Sequence, residues 1–414
     1  MRSAEIDHAM TLGHILSVAF GALAVSGVIT STIYSLMVAA AVVQFRRRAT
    51  GAGAKTSGHP VSVLKPVYGD EPNLEENLAS FFQQDYPEFE ILFCARHISD
   101  GGLKTAGLVA ARFPQVKTRM LVCGDPAWPN PRTFSLETMR RQARYPILVA
   151  SDSDVRVGPD YLASVVEPLC DPKVGMVTCL YRGVACRGVW AQLEAMGMSV
   201  EMTSGVLVAN MLEGMKFALG PSMTIRQSTI EKIGGLKKVA EYYADDFVLG
   251  NWTAKAGEKV ELATYVIEHH VHNASFRGTV SHQQDWATST RFSRPLGHLG
   301  EVLTYATPYG LLSLVTLSAS GHFAWGALIL GITLISRMLL CALVAAIVVC
   351  DKVALRTAWL YPIRDLMGFC FWIGSYVGSR RLCYRGEPYE LLPQGRLRRV
   401  VEEVKKTTPA RWAS

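Results

Sequence analysis

No aspartate, glutamate, lysine or arginine lies between Asp7 and Arg46, and that interval constrains the chain more than any other feature. Inside it, residues 16–43 are apolar enough to span a bilayer as a helix, at a rise of about 1.5 Å per residue. A cleaved secretory signal has a shorter apolar core, then a small-residue cleavage site and polar sequence. Here the apolar run ends directly on Arg46, Arg47 and Arg48, so a retained membrane anchor is expected over residues 1–48. Basic residues stay on the cytoplasmic side of a span, which puts the chain after Arg46 in the cytosol. The net charge of +7 then requires no nucleic acid. Positive residues flank the apolar segments and recur at Arg396, Arg398, Arg399, Lys405 and Lys406, a distribution that suits an anionic lipid bilayer. Nine cysteines without a C-x-x-C pair read as thiols of a reducing compartment.

A Gly/Ala/Ser/Thr stretch reads as a linker over residues 49–59. From 60 to 299 the composition is that of a globular domain. Short apolar runs at 61–64, 90–95, 120–123, 147–150 and 174–180 read as strands, with helical segments such as 73–83 between them. This alternation predicts an α/β architecture with a mostly parallel sheet. Ligands of such sheets bind beyond the carboxyl ends of the strands. Further apolar stretches at 302–320, 323–350 and 366–377 predict a C-terminal membrane region over 300–380, followed by a basic cytosolic tail over 381–414. Arg337 falls near the middle of the second stretch. A charge at that depth costs roughly 3 kcal/mol on insertion scales, so it is expected to face protein or water.

Four clusters carry chemistry. The run at 147–150 delivers Asp152 and Asp154 at a strand end. Side chains two residues apart project the same way, so the pair can share one hard divalent cation, Mg²⁺ or Mn²⁺, that bridges the phosphates of a nucleotide diphosphate. An acidic turn capping a helix would use the same residues. Asp245 and Asp246 sit side by side among aromatic residues, where mutual repulsion raises one pKa and suits a general base. The plain alternative is a helix over 247–255 with acids at its start. His269, His270 and His272 place two rings, those of 270 and 272, on one strand face as a possible metal pair with no evident third ligand. Lastly, Trp286 could stack on a sugar or lipid headgroup while Arg291 and Arg294 bind a pyrophosphate, or all three belong to an amphipathic helix leading into the membrane.

Taken in order, Ser62-Val63-Leu64-Lys65-Pro66, Gln84-Asp85-Tyr86-Pro87, Ser151-Asp152-Ser153-Asp154, Ala244-Asp245-Asp246, His282-Gln283-x-x-Trp286, Ser293-Arg294-Pro295 and Tyr361-Pro362-Ile363-Arg364-Asp365 resemble the ceramide glucosyltransferase-like glycosyltransferases. That group includes bacterial hopanoid-associated members. The likeness covers nearly the whole chain. It implies a GT-A type nucleotide-sugar domain with N- and C-terminal transmembrane helices, in a bacterial inner membrane. The implied reaction is a single inverting displacement that moves glucose or a related hexose from a UDP-sugar donor to the hydroxyl of a ceramide-like or hopanoid-like membrane lipid acceptor. By the same resemblance Asp152 and Asp154 hold the metal and diphosphate, and Asp246, with Asp245 beside it, is the catalytic base. Asp100 is a donor-side acid, and Lys65 and Pro66 lie where the nucleotide base is held. His282, Gln283 and Trp286 fall on a donor-binding motif. Asp285 occupies a position where the family usually has arginine, and Thr288 another, leaving Arg291 or Arg294 as the cation for the diphosphate. Two other readings use the same residues: a processive polysaccharide synthase, and a non-catalytic paralogue that binds nucleotide-sugar or lipid.

Overall fold

The computed structural model describes the backbone of residues 2–51, 58–273, 275–384 and 387–400, with side chains described throughout except at 2–17, 50–51 and 383–384. Eight strands form the main sheet: β1 (Val61–Pro66), β2 (Phe89–Ala95), β3 (Lys117–Val122), β4 (Ile147–Ser151), β5 (Val155–Arg156), β6 (Val174–Ala185), β7 (Ser222–Arg226) and β8 (Lys259–Val271). Their order is β3-β2-β1-β4-β7-β6-β8-β5. The pairs β1/β2, β1/β4, β2/β3 and β6/β8 are parallel. β7 runs antiparallel to both β4 and β6, and β5 antiparallel to β8. All five expected strands are present. β1 and β4 are buried along their whole lengths, as continuous apolar runs covered on both faces should be. β7 and β8 were not expected from sequence. β8 is half-buried and carries Lys259, Glu261 and Glu268 among its apolar residues, so it lacks the apolar density of a central strand.

Among the described residues, Val18–Ala49 and Phe323–Ile347 are the two helical stretches long and apolar enough to cross a membrane, by length and composition. The first belongs to a helix that runs to Gly51, through the opening residues of the expected linker; residues 52–57 lie outside the described set. Within the expected stretch 302–320 the helix is only Thr307–Ala319, with proline in its first turn, where the ring is tolerated because that N–H has no helical partner. Gly27 permits its close crossing with the first helix, since a Cβ there would lie 2.1 Å from the Tyr309 ring.

Arg337 is buried as expected. Its guanidinium donates to the carbonyl oxygens of Thr304 (3.1 Å) and Ser31 (3.3 Å) and to the Ser35 hydroxyl, and lies 3.7 Å from the Asp365 carboxylate. Asp365 also accepts from the backbone N–H groups of Ala306 (3.0 Å) and Thr307 (2.7 Å). One charge pair therefore joins the helix Tyr361–Val377, the start of Thr307–Ala319 and both long helices.

The apolar core is continuous from these helices into the sheet. Val38, Val42 and Phe45 of the first helix and Leu340 and Val344 of the last long one share a cluster with Leu64, Leu148, Met176 and Leu262. The α/β domain is thus packed directly on the helix ends. The C-terminal segment folds back as well. Strands β9 (Arg381–Tyr384), β10 (Glu387–Leu391) and β11 (Leu397–Arg399) form an antiparallel sheet. It docks through Tyr243 N–H to Gly395 O (3.0 Å) and Leu397 N–H to Glu241 O (2.7 Å). The tail expected over 381–414 is therefore folded against the domain as far as it is described; Lys405 and Lys406 lie outside the described residues.

Candidate active site

The carboxyl ends of β1 and β4 meet at a buried lysine. Lys65, near the end of β1, donates to the Ser151 hydroxyl (3.4 Å) and to the carbonyl oxygen of Asp152, with its ammonium 3.8 Å from the Phe81 ring centroid. Burial drives its pKa down to about 7, against the pull of Asp152, Asp154 and Glu71. Pro66 follows as the last residue of β1. Asp100 caps the helix Gly101–Ala111, accepting from Gly102 N–H (2.8 Å) and Leu103 N–H (3.3 Å), and it also takes the Gly69 N–H at 3.1 Å. It thereby fixes the turn that follows β1.

The residue that assembles the site is Arg132, which sequence reasoning missed. Asn130 accepts from Thr133 N–H (3.1 Å) and Pro131 opens the helix Pro131–Gln142, an N-cap followed by a first-turn proline. That start places Arg132 over the strand ends. Its Nε donates to Asp152 (2.8 Å), one terminal nitrogen to Asp245 (2.7 Å) and the other to the Gly220 carbonyl (2.7 Å). One buried guanidinium therefore ties the loop after β4 to the start of the helix Asp245–Lys255. The Asn-Pro helix start was the available signal.

Asp246 is held on the other side of this junction. Its carboxylate accepts from Gly220 N–H (2.6 Å) and from Phe247 N–H (2.7 Å). A Cβ at Gly220 would sit 3.0 Å from the carboxylate oxygen, so a side chain there would press on the acid by a few tenths of an ångström. Burial first, and then the neighbouring Asp245, push Asp246 up from an ordinary 3.8 to about 6, against the opposing effect of Arg132 and the two N–H donors. The proton binds more tightly in the folded state, so this group's contribution to stability is present at low pH and lost as pH rises through about 6. A base needs the opposite form. If Asp246 is the base, kcat/KM should fall below a pH of about 6, and Asp245→Asn should move that acidic limb to lower pH by removing the like charge. A pH–rate profile whose limb stays in place in the variant would contradict this.

Asp154 lies 3.5 Å from His269 Nε2. Its other oxygen is buried without a hydrogen-bond partner, as are His269 Nδ1 and both ring nitrogens of His272. Burial, chiefly, lowers the His272 pKa, with the neighbouring His270 and His269 acting the same way and Asp154 opposing, so its ring stays neutral with a lone pair to donate. Among the described residues no three His, Cys, Asp or Glu side chains are grouped so as to hold a metal ion; the orphaned Asp154 oxygen is a donor of the kind a hard divalent cation takes. His270 lies 3.8 Å from Glu268 and 3.8 Å from the Cys186 thiol, and its Nε2 too is buried without a hydrogen-bond partner.

The tryptophan-bearing helix Phe276–Ser293 is anchored elsewhere. His282 contacts Glu194 (2.6 Å) and packs 4.6 Å from the Trp286 ring. Gln283 accepts from Arg364 (2.8 Å), Arg291 donates to the Ser375 carbonyl, and Arg294 donates to Glu213 (2.8 Å). Arg294 also lies over Phe217, which stacks on Phe247 beside the base candidate. The structure thus joins Lys65, Asp152, Asp245 and Asp246 in one network, and its contacts hold His282, Gln283 and Arg291 to neighbouring helices. Asp285 is half-buried, makes no hydrogen bond or ion pair among the described residues, and is raised to about 6 by that burial.

A family profile for glycosyl transferase family 21 matches residues 22–397. Ceramide glucosyltransferase 1 of Caenorhabditis elegans is 29% identical over 206 residues, covering 50% of this chain and 44% of that protein. The ceramide glucosyltransferase of Komagataella phaffii is 34% identical over 113 residues, 26% of this chain and 22% of that one. The chain thus matches less than half the length of these curated relatives. Among solved structures, the mannosyltransferase PcManGT from Pyrobaculum calidifontis, in complex with GDP-Man and Mn²⁺, aligns over 85% of this chain and 98% of its own at 18% identity and a TM-score of 0.48. With a profile match over most of its length, the chain belongs to glycosyl transferase family 21.

Proposed function

We propose that this chain is an inverting glycosyltransferase that moves glucose or a related hexose from a UDP-sugar to the hydroxyl of a membrane lipid of the ceramide or hopanoid kind. The observation that carries the reading is the Arg132 junction, which draws the Asp152–Asp154 loop and the Asp245–Asp246 pair together at the carboxyl ends of β1 and β4. Asp246 takes the proton of the lipid hydroxyl, and that oxygen attacks the anomeric carbon. The bond to the diphosphate breaks on the opposite face, and its electron pair leaves on the phosphate oxygen. Asp152 and Asp154 would hold a divalent cation, which would supply positive charge for the departing diphosphate. Lys65 fixes the Asp152 backbone, and Asp100 fixes the turn after β1 against which the nucleotide base is held together with Pro66. Trp286 and Arg294 border the donor side. Both long helices cross the bacterial inner membrane, and the shared core keeps the site at a constant height above the cytosolic surface.

Titration of UDP into the purified chain tests the donor and metal parts. Binding should require Mg²⁺ or Mn²⁺, disappear with a chelator, and weaken at least about tenfold in Asp154→Ala, since even outer partners of metal ligands are worth that much. Metal-independent binding unchanged by Asp154→Ala would remove Asp154 from the site. The half-buried acid at Asp285, where a cation is expected, favours one other reading, a binding protein without turnover. Metal-dependent UDP binding with no sugar transfer from any donor would select it.

A further inference from the structure

A cavity of about 510 Å³ opens where the two long helices end against the sheet edge. Phe45 and Arg46 contribute from the first helix, Ile347 and Val348 from the end of the other, and Arg156 and Arg182 from β5 and β6. Its charged lining is three arginines against one glutamate, Glu268. Arg182 donates to Glu268 and to the Cys350 carbonyl (3.1 Å), so one arginine is held rigidly in the wall. Arg156 is oriented by Asn77 (3.2 Å) and lies 3.9 Å from the exposed Glu76 carboxylate. The same two helices expose apolar side chains, among them Val43 and Leu339.

A positive pocket with an apolar wall, at the height where two spans leave the bilayer, matches one kind of molecule. We infer that this cavity binds the phosphate headgroup of an anionic phospholipid from the cytosolic leaflet, with an acyl chain lying along the exposed flank of the two helices. Guanidinium groups match phosphate oxygens in geometry as well as charge, and that leaflet is the source of anionic lipid beside a cytosolic domain. Its lining includes none of Asp152, Asp154, Asp245 and Asp246. This inference rests on the membrane reading of the two helices, and the experiment separates the two.

The full chain is floated with vesicles of phosphatidylcholine alone and with vesicles containing phosphatidylglycerol, and retained lipid is read by native mass spectrometry after detergent exchange. Flotation with both, and selective retention of one phosphatidylglycerol, is expected. Each arginine near an anionic surface is worth roughly fivefold in affinity, so Arg46→Gln/Arg156→Gln should lose roughly 25-fold. Thr264→Phe, which keeps every charge and fills the cavity, should abolish retention while flotation and thermal midpoint in neutral lipid stay unchanged. Flotation with both vesicles but equal retention of both lipids, or retention unaffected by the variants, overturns the pocket and leaves the membrane reading intact. Failure to float with either vesicle overturns both.

Discussion

Asp246→Asn should lower kcat by about 10²- to 10⁴-fold, the range a positioned general base supplies, while the KM for the UDP-sugar changes little. The asparagine is nearly isosteric and keeps an oxygen for the Gly220 or the Phe247 N–H that hold the carboxylate in place. What it loses is the capacity to accept a proton near neutral pH, which the native group has because burial and Asp245 raise it to about 6. A competing account makes Asp246 only a first-turn acid that stabilises the start of Asp245–Lys255. Loss of that role costs no more than about 0.5–2 kcal/mol of stability, as for a helix cap, and leaves kcat alone. Steady-state kinetics together with thermal unfolding of the variant decide between them.

Arg132→Met should destabilise the fold by about 3–5 kcal/mol, the cost of removing one partner from a buried ion pair, and should disable transfer as well. The methionine fills most of the space but leaves the buried Asp245 carboxylate without its 2.7 Å partner, and the Gly220 carbonyl and Asp152 without theirs. Most of that cost is the uncompensated charge, so Arg132→Met/Asp245→Asn should be more stable than the single variant. It should remain inactive, because the loop carrying Asp152 has lost its tie to the helix carrying Asp246. A double variant no more stable than Arg132→Met would show that the pair is not the structural junction described here.

Much of this architecture was legible in the chain. The charge-free interval before Arg46 and the dense apolar runs of β1 and β4 are local signals, because each element's burial is written in consecutive residues. The helix carrying Asp245 and Asp246 was legible for the same reason. β7 and β8 were not, because a short strand inserted antiparallel and a half-buried strand lying between β6 and β5 take their pairing from distant partners. The Arg132 junction was hidden more completely. Its three acceptors come from positions 152, 220 and 245, and no spacing rule links an arginine to acids so far along the chain. Arg291 illustrates the converse. Its spacing from Trp286 is compatible with a diphosphate contact, yet tertiary packing spends its donor on the Ser375 carbonyl. The destination of Arg337 followed from the cost of a bare charge in a bilayer, although its partner Asp365 did not.

Transfer of one sugar to a lipid with inversion is the reaction proposed for these acids. The measurement closest to it is the NMR spectrum of the lipid product formed when the purified chain, in vesicles supplied with a membrane lipid extract, is given α-linked UDP-glucose labelled at the anomeric carbon. The account predicts a lipid bearing a single β-linked sugar, formed by wild type and absent with Asp246→Asn. An α-linked product, a polymer, or an equal yield of β-linked lipid from Asp246→Asn would contradict it.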